Sequence, residues 1–160
     1  MNSSGFSLLE LLIVIIIMSI VAVVGVGSWR DLQARSELSS VTRGVMQFLN
    51  AVKIDANLYN YNQSIYLLKK SEYDWCLVAS EKNKPASCQT KFNFIPKTGF
   101  IELGGLKADA PLVFYGRRNS AKAATIRLKN KIGESRIIIS LPGRIRYCSY
   151  DTYLAGFHQC

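Results

Sequence analysis

The stretch between Gly5 and Trp29 constrains this chain more than any other. It opens Gly5-Phe6-Ser7-Leu8-Leu9-Glu10, and from Leu11 to Val26 only small residues and Ser19 interrupt the apolar side chains. Phe6 to Val26 makes about 30 Å of helix at 1.5 Å per residue, the thickness of a bilayer's hydrocarbon core. A single carboxylate, Glu10, sits inside that span. Insertion scales put such a group at roughly 2.5–3.5 kcal/mol at the bilayer centre, so it needs a compensating role. A cationic group on a neighbouring copy could neutralise Glu10. In low dielectric the pair would set the axial register between helices. The rival is a plain signal anchor whose carboxylate snorkels to the headgroups, which leaves the Gly5-Phe6 junction unexplained. A cleavable secretory signal fits poorly, since no small-x-small site closes the run before Trp29.

The helical pattern continues past the span. Leu38, Val41, Val45, Phe48 or Leu49, Val52, Ala56 and Tyr59 recur at three- and four-residue steps, and Arg35, Glu37, Arg43, Gln47, Lys53 and Asp55 fall mostly off that stripe. Asn57, Asn60 and Asn62 cluster where such a helix ends. One helix of roughly 80 Å is expected from Phe6 to about Tyr61. From residue 64 the period changes to two. Strands are expected over 64–68, 75–80, 92–95, 99–103, 112–115, 125–129, 136–141 and 144–148, with Pro- and Gly-bearing turns between most of them. The fold class is therefore α+β. Its parts are a leader over 1–5, a transmembrane half-helix over 6–27, an amphipathic half-helix over 28–62 and an antiparallel β head over 63–160.

The Gly-Phe junction with Glu on the fifth residue after the cut resembles the processing signature of type IV prepilins and type II secretion pseudopilins. With the helix-then-strands order, the chain is similar to GspH/FimT-type minor pilins, and especially to the prepilin peptidase-dependent (PpdA-like) minor pilins. Trp75-Cys76-Leu77-Val78 and Phe114-Tyr115-Gly116-Arg117-Arg118-Asn119 are supporting stretches. The resemblance implies cleavage between Gly5 and Phe6 by a prepilin peptidase, which would free a cationic amine on Phe6 for Glu10 of a neighbouring copy to neutralise, methylation of Phe6, and assembly with other pilins through the N-terminal helix. It also implies a start in the inner membrane with a periplasmic head, then display in a pilus or pseudopilus. One departure is plain: Met1-Asn2-Ser3-Ser4 carries no Lys or Arg, whereas leaders of that family are usually basic.

Four cysteines at two equal offsets fit an oxidising compartment. They allow three connectivities. Pairing Cys76 with Cys88 and Cys148 with Cys160 is preferred, because the second bond would pin a free C-terminal tail; each loop is worth about 2–3 kcal/mol. A four-cysteine zinc site is the rival and lacks any C-x-x-C spacing. Catalysis has little to rest on. The single His158 lies two residues from the C-terminus, Glu72 and Asp74 lack a further acidic partner, and Gly104-Gly105 lacks a phosphate-loop context. No cofactor or resident metal is expected.

Charge is the informative part of the head. Residues 91–160 hold twelve Lys and Arg against four acids, and so carry most of the formal net charge of +9. Such asymmetry is a footprint for a polyanion. Alternation puts Arg127 and Lys129 on one outer face and Arg144 and Arg146 on another; a meander would bring these four together with Arg136 on one sheet surface, beside Ile138. A flat cationic ladder binds phosphates without reading bases. Gly143-Arg144-x-Arg146 also resembles the Gly-Arg-x-Arg motif with which FimT-type minor pilins bind DNA. By that resemblance Arg144 and Arg146 contact phosphates of double-stranded DNA and Gly143 shapes the turn. Lys53, on the helix, is expected to stand apart from the ladder. The rival uses are resistance to edge pairing and ion pairs with neighbouring pilins, as in a structural pseudopilin of a secretion pseudopilus.

Overall fold

The computed structural model describes residues 7–97, 100–106 and 110–160, with 23–26 described through their helical backbone alone. Gly5 and Phe6 lie outside these residues, as do Gly99, Lys107 and Asp109. One helix, α1, runs from Leu8 to Tyr59. It ends at Asn60, whose left-handed backbone (φ 55°) is a conformation Asn tolerates better than most residues.

The helix has two regimes. From Leu8 to Val21 its large apolar side chains are all exposed, so this half has no partner within the chain. Its most apolar window has mean hydropathy 3.0, long and apolar enough to cross a membrane. Packing starts at Ala34 and continues through Leu38, Val41, Val45, Phe48, Leu49, Val52 and Ala56, all buried. Tyr59, expected on this stripe, is 68% exposed, because it lies beyond the sheets that cover the helix.

Two antiparallel sheets cover the second half of α1. The strands are β1 (Asn62–Lys69), β2 (Trp75–Ser80), β3 (Phe92–Phe94), β4 (Glu102–Gly104), β5 (Leu112–Tyr115), β6 (Ser120–Ala121), β7 (Ala124–Asn130), β8 (Gly133–Ile139) and β9 (Ile145–Ser149). The first sheet has the order β3-β2-β1-β5-β6 and the second β4-β7-β8-β9. One apolar cluster joins the helix stripe to Ile65, Leu67, Leu77 and Phe114 of the first sheet and to Leu103, Ile126, Leu128, Ile137 and Ile139 of the second.

The expected strand over 99–103 is displaced to Glu102–Gly104, and that over 136–141 begins three residues earlier, because Lys131-Ile132 makes a tight turn directly after β7. The two-residue β6 and the 3-10 turn over Gly116–Arg118 are too short to leave a periodic signal in the sequence.

Cys76 is bonded to Cys88 and Cys148 to Cys160. The first bond ties the loop after β2 to the outward side of that strand, where Val78 is also buried. The second holds the tail along β9: Ser149 donates its N–H to His158 O, and Cys160 returns one to Ser149 O. With all four cysteines in disulfides, none is available as a thiolate ligand.

At the upper end of the helix Gly116 is pressed between two stretches of backbone. A Cβ there would overlap the carbonyl oxygens of both Ala56 and Tyr61. Neither is a flexible side chain, so Gly116→Ala must displace backbone. It is expected to lower unfolding stability by roughly 1–3 kcal/mol, read as a lower midpoint in urea.

The same region holds a buried carboxylate. Asp55, expected on the solvent side, is buried. It accepts hydrogen bonds from Tyr61 Oη and, at 3.2 Å, from Gln63 Nε2, and it pairs with Lys91 Nζ at 3.0 Å. Burial pushes the carboxyl up, but the bonds from Tyr61, Lys91 and Gln63 outweigh it and leave the pKa below the ordinary 3.8. A carboxylate depressed in the folded state stabilises above its unfolded pKa, and the contribution is lost as pH falls through the folded value. Stability should therefore drop on acidification below about pH 4, and Asp55→Asn should flatten that part of a stability-against-pH curve.

Candidate processing, assembly and nucleic-acid sites

Glu10 lies in the first turn of α1, exposed and flanked by exposed apolar side chains. Among the described residues it has no side-chain partner. Ser19, the other polar group in mid-span, is satisfied by its own helix, donating to Ile16 O at 2.7 Å.

The basic strands form the outward face of the second sheet. Register places Arg127 opposite Arg136, Arg136 opposite Cys148, and Arg146 opposite Ile138. These residues share one face because directly paired positions in an antiparallel ladder point the same way. Lys129 stands between Glu102 on β4 and Glu134 on β8. Arg144 immediately precedes β9 and is exposed.

The members of this face are not equivalent. Arg136 Nε donates to Glu134 Oε1 at 2.6 Å, and its guanidinium lies 3.3 Å from the centre of the Tyr150 ring. The bond to Glu134 holds the Arg136 pKa above its ordinary value. This cation is already engaged within the chain. Arg127, Arg144 and Arg146 are exposed and have no partner among the described residues.

Gly143 has φ +73°, in the left-handed region that favours glycine, and follows the Leu141-Pro142 turn. A side chain there would begin 3.3 Å from Asn119 O and 3.4 Å from Lys53 Cε, with Lys53 Nζ at 3.6 Å. Lys53 is therefore a neighbour of the Gly143-Arg144 turn, contrary to its expected isolation. Arg117 and Arg118, exposed in the 3-10 turn, immediately precede Asn119, and Asn57 Nδ2 bonds Asn119 Oδ1 at 2.8 Å. Helix spacing gave no sign of this convergence, since it brings together three segments far apart in sequence. His158, Glu72 and Asp74 are exposed and lie at the tail and at the β1–β2 turn.

Residues 1–26 match the family described as the prokaryotic N-terminal methylation motif. No curated protein matches the chain. Among solved structures, the type IV minor pilin FimU of Pseudomonas aeruginosa (strain PAO1) matches in two crystal forms. One has TM-score 0.58 at 19% identity, covering 72% of this chain and 90% of that one. The other has TM-score 0.53 at 17% identity, covering 73% and 97%. The chain thus carries the methylation motif at its N-terminus and shares the fold of that minor pilin. The minor pseudopilin EpsH of the Vibrio cholerae type 2 secretion system also matches, with TM-score 0.45 at 13% identity over 71% of this chain and 94% of that one. Pilin-type proteins assemble with other pilins and are processed by prepilin peptidase. The exposed apolar half of α1 fits a membrane anchor.

Proposed function

We propose that this chain is a minor pilin of a type IV pilus that helps to initiate or assemble the fibre and binds double-stranded DNA through its head during uptake for natural transformation. Prepilin peptidase removes residues 1–5 and methylates Phe6, Glu10 sets the register against neighbouring pilins, and the head faces the periplasm and then the cell surface. One observation carries the DNA reading: Arg127, Arg144 and Arg146 stand exposed and unpaired among the described residues, with Lys53 set against Gly143 beside them. Solvated guanidinium groups with no internal partner are free to neutralise phosphates.

The test has two parts. Protein recovered from sheared fibres should give the mass of a chain starting at N-methylated Phe6, and an intact Met1 form in fibres would overturn the processing. Full-length protein in neutral detergent should bind duplex DNA with little sequence preference and a log–log salt slope of roughly −3 to −5, as a handful of phosphate contacts requires. A flat salt dependence would leave the structural pseudopilin of a secretion pseudopilus, without DNA binding, as the better reading.

A further inference from the structure

At its membrane-proximal end the head closes on α1 around residues 30–37. Lys131 pairs with Asp31 at 3.5 Å, and Asn130 Nδ2 bonds Ala34 O at 2.8 Å. Between the helix and the head lies an open cleft of about 700 Å³, with Arg30 on one wall and Tyr73 and Phe100 on the other. Tyr73 and Phe100 are 48% and 73% exposed, and Trp29, one residue before Arg30, is 69% exposed. Two large exposed aromatic side chains therefore border a cleft whose helix wall runs from Arg30 to Glu37 and whose lowest level adjoins exposed Trp29.

That level can be placed against the span. Val26 ends the apolar run, so Trp29 to Asp31 lie about 4–8 Å beyond it at 1.5 Å per residue. The headgroup layer on each side of the hydrocarbon is roughly 5–8 Å thick. Trp and Tyr favour that layer because one end of the ring system is apolar and the other takes a hydrogen bond from water or headgroup. Lys and Arg at the same depth bury their stems and keep their charge wet.

We infer that, before the chain enters a fibre, the base of the head rests on the phospholipid headgroup layer, with Tyr73 and Phe100 seated beside Trp29 at the interface and Arg30 and Lys131 among the phosphates. This rests on the reading of the first half of α1 as a membrane span. The occupant is lipid because the surface is continuous with that span along one helix and begins within one headgroup thickness of its end. The contact would fix the tilt of the head on the membrane and would have to be released on extraction into a fibre.

Full-length protein reconstituted in phosphatidylcholine–phosphatidylglycerol vesicles tests this, with and without lipid carrying a nitroxide on its headgroup. In a Trp29→Phe background, Tyr73→Trp and Phe100→Trp serve as reporters, and Tyr115→Trp, at the opposite end of the head, as control. Emission of the Trp29→Phe parent, which retains the buried Trp75, is subtracted. Quenching of the Tyr73 and Phe100 reporters at least twofold above that of the Tyr115 reporter is expected. Quenching no stronger than the control would overturn the inference and leave the aromatic base to a neighbouring subunit. The native Trp29, read in the unmodified chain, separates the two failures. If Trp29 is quenched while the other two positions are not, the span stands and the resting contact falls; if Trp29 is also unquenched, the span itself falls.

Discussion

Exchanging Glu10 for Val is expected to cut incorporation into fibres at least tenfold while leaving the amount of protein in the membrane unchanged or higher. Glu10 has no side-chain partner among the described residues, and its neighbours in the first turns of α1 are exposed and apolar. Removing a carboxylate from such a helix relieves a desolvation cost, so insertion should not suffer. A loss confined to assembly must then come from a partner outside the chain, and the proposed one is the amine of Phe6 on an adjacent pilin. A tenfold change corresponds to about 1.4 kcal/mol, a modest demand on an ion pair shielded from water. Glu10→Gln keeps the shape and removes the charge, so it should behave like the Val variant. The ratio of protein in sheared fibres to protein in membranes, by quantitative immunoblot, gives the readout. Normal incorporation of either variant would end the pairing account.

The helix was the most legible part of the fold because both its signals are local. An unbroken apolar run and a three-to-four-residue stripe need no knowledge of the rest of the chain, and Leu38, Val45, Leu49 and Val52 are indeed fully buried. Asp55 shows where that reasoning stops. Its neighbours Tyr61, Gln63 and Lys91 come from the helix end, β1 and the segment before β3, and only their convergence makes burying a carboxylate tolerable. Alternation was equally reliable where one face of a strand is buried, as in β7. It failed for β6, since two residues carry no period.

The basic face divides along the same line. That Arg127 and Lys129 share a side follows from the pleat, and needs no register. That Lys129 stands between two glutamates, or that Arg136 is held by Glu134, depends on which strands pair and at what offset. The contact of Lys53 with the Gly143 turn depends on how the helix crosses the sheet. No short-range pattern encodes that.

How each cation is held decides what its loss should do to DNA binding. Arg144→Gln with Arg146→Gln should shrink the log–log salt slope for duplex DNA by about 2 units, since each lost phosphate contact releases about one counterion fewer. Both side chains are exposed and unpaired among the described residues, so the unfolding midpoint should not move. Lys53→Gln should lower the slope by about 1, as a member of the same surface. Arg136→Gln should change it by less, because Glu134 and the Tyr150 ring already hold that guanidinium. Lys70→Gln is the control. Lys70 sits at the tip of the β1–β2 hairpin beside Tyr73, which borders the Arg30 cleft, and Arg30 is about 35 Å along the helix from Lys53. A basic protein adheres to DNA at low salt wherever its charges lie, so total affinity cannot discriminate. The ordering of slopes can. If Lys70→Gln costs as much as a single ladder arginine, attraction is generic, and ion pairs between neighbouring pilins become the better account of Arg144 and Arg146.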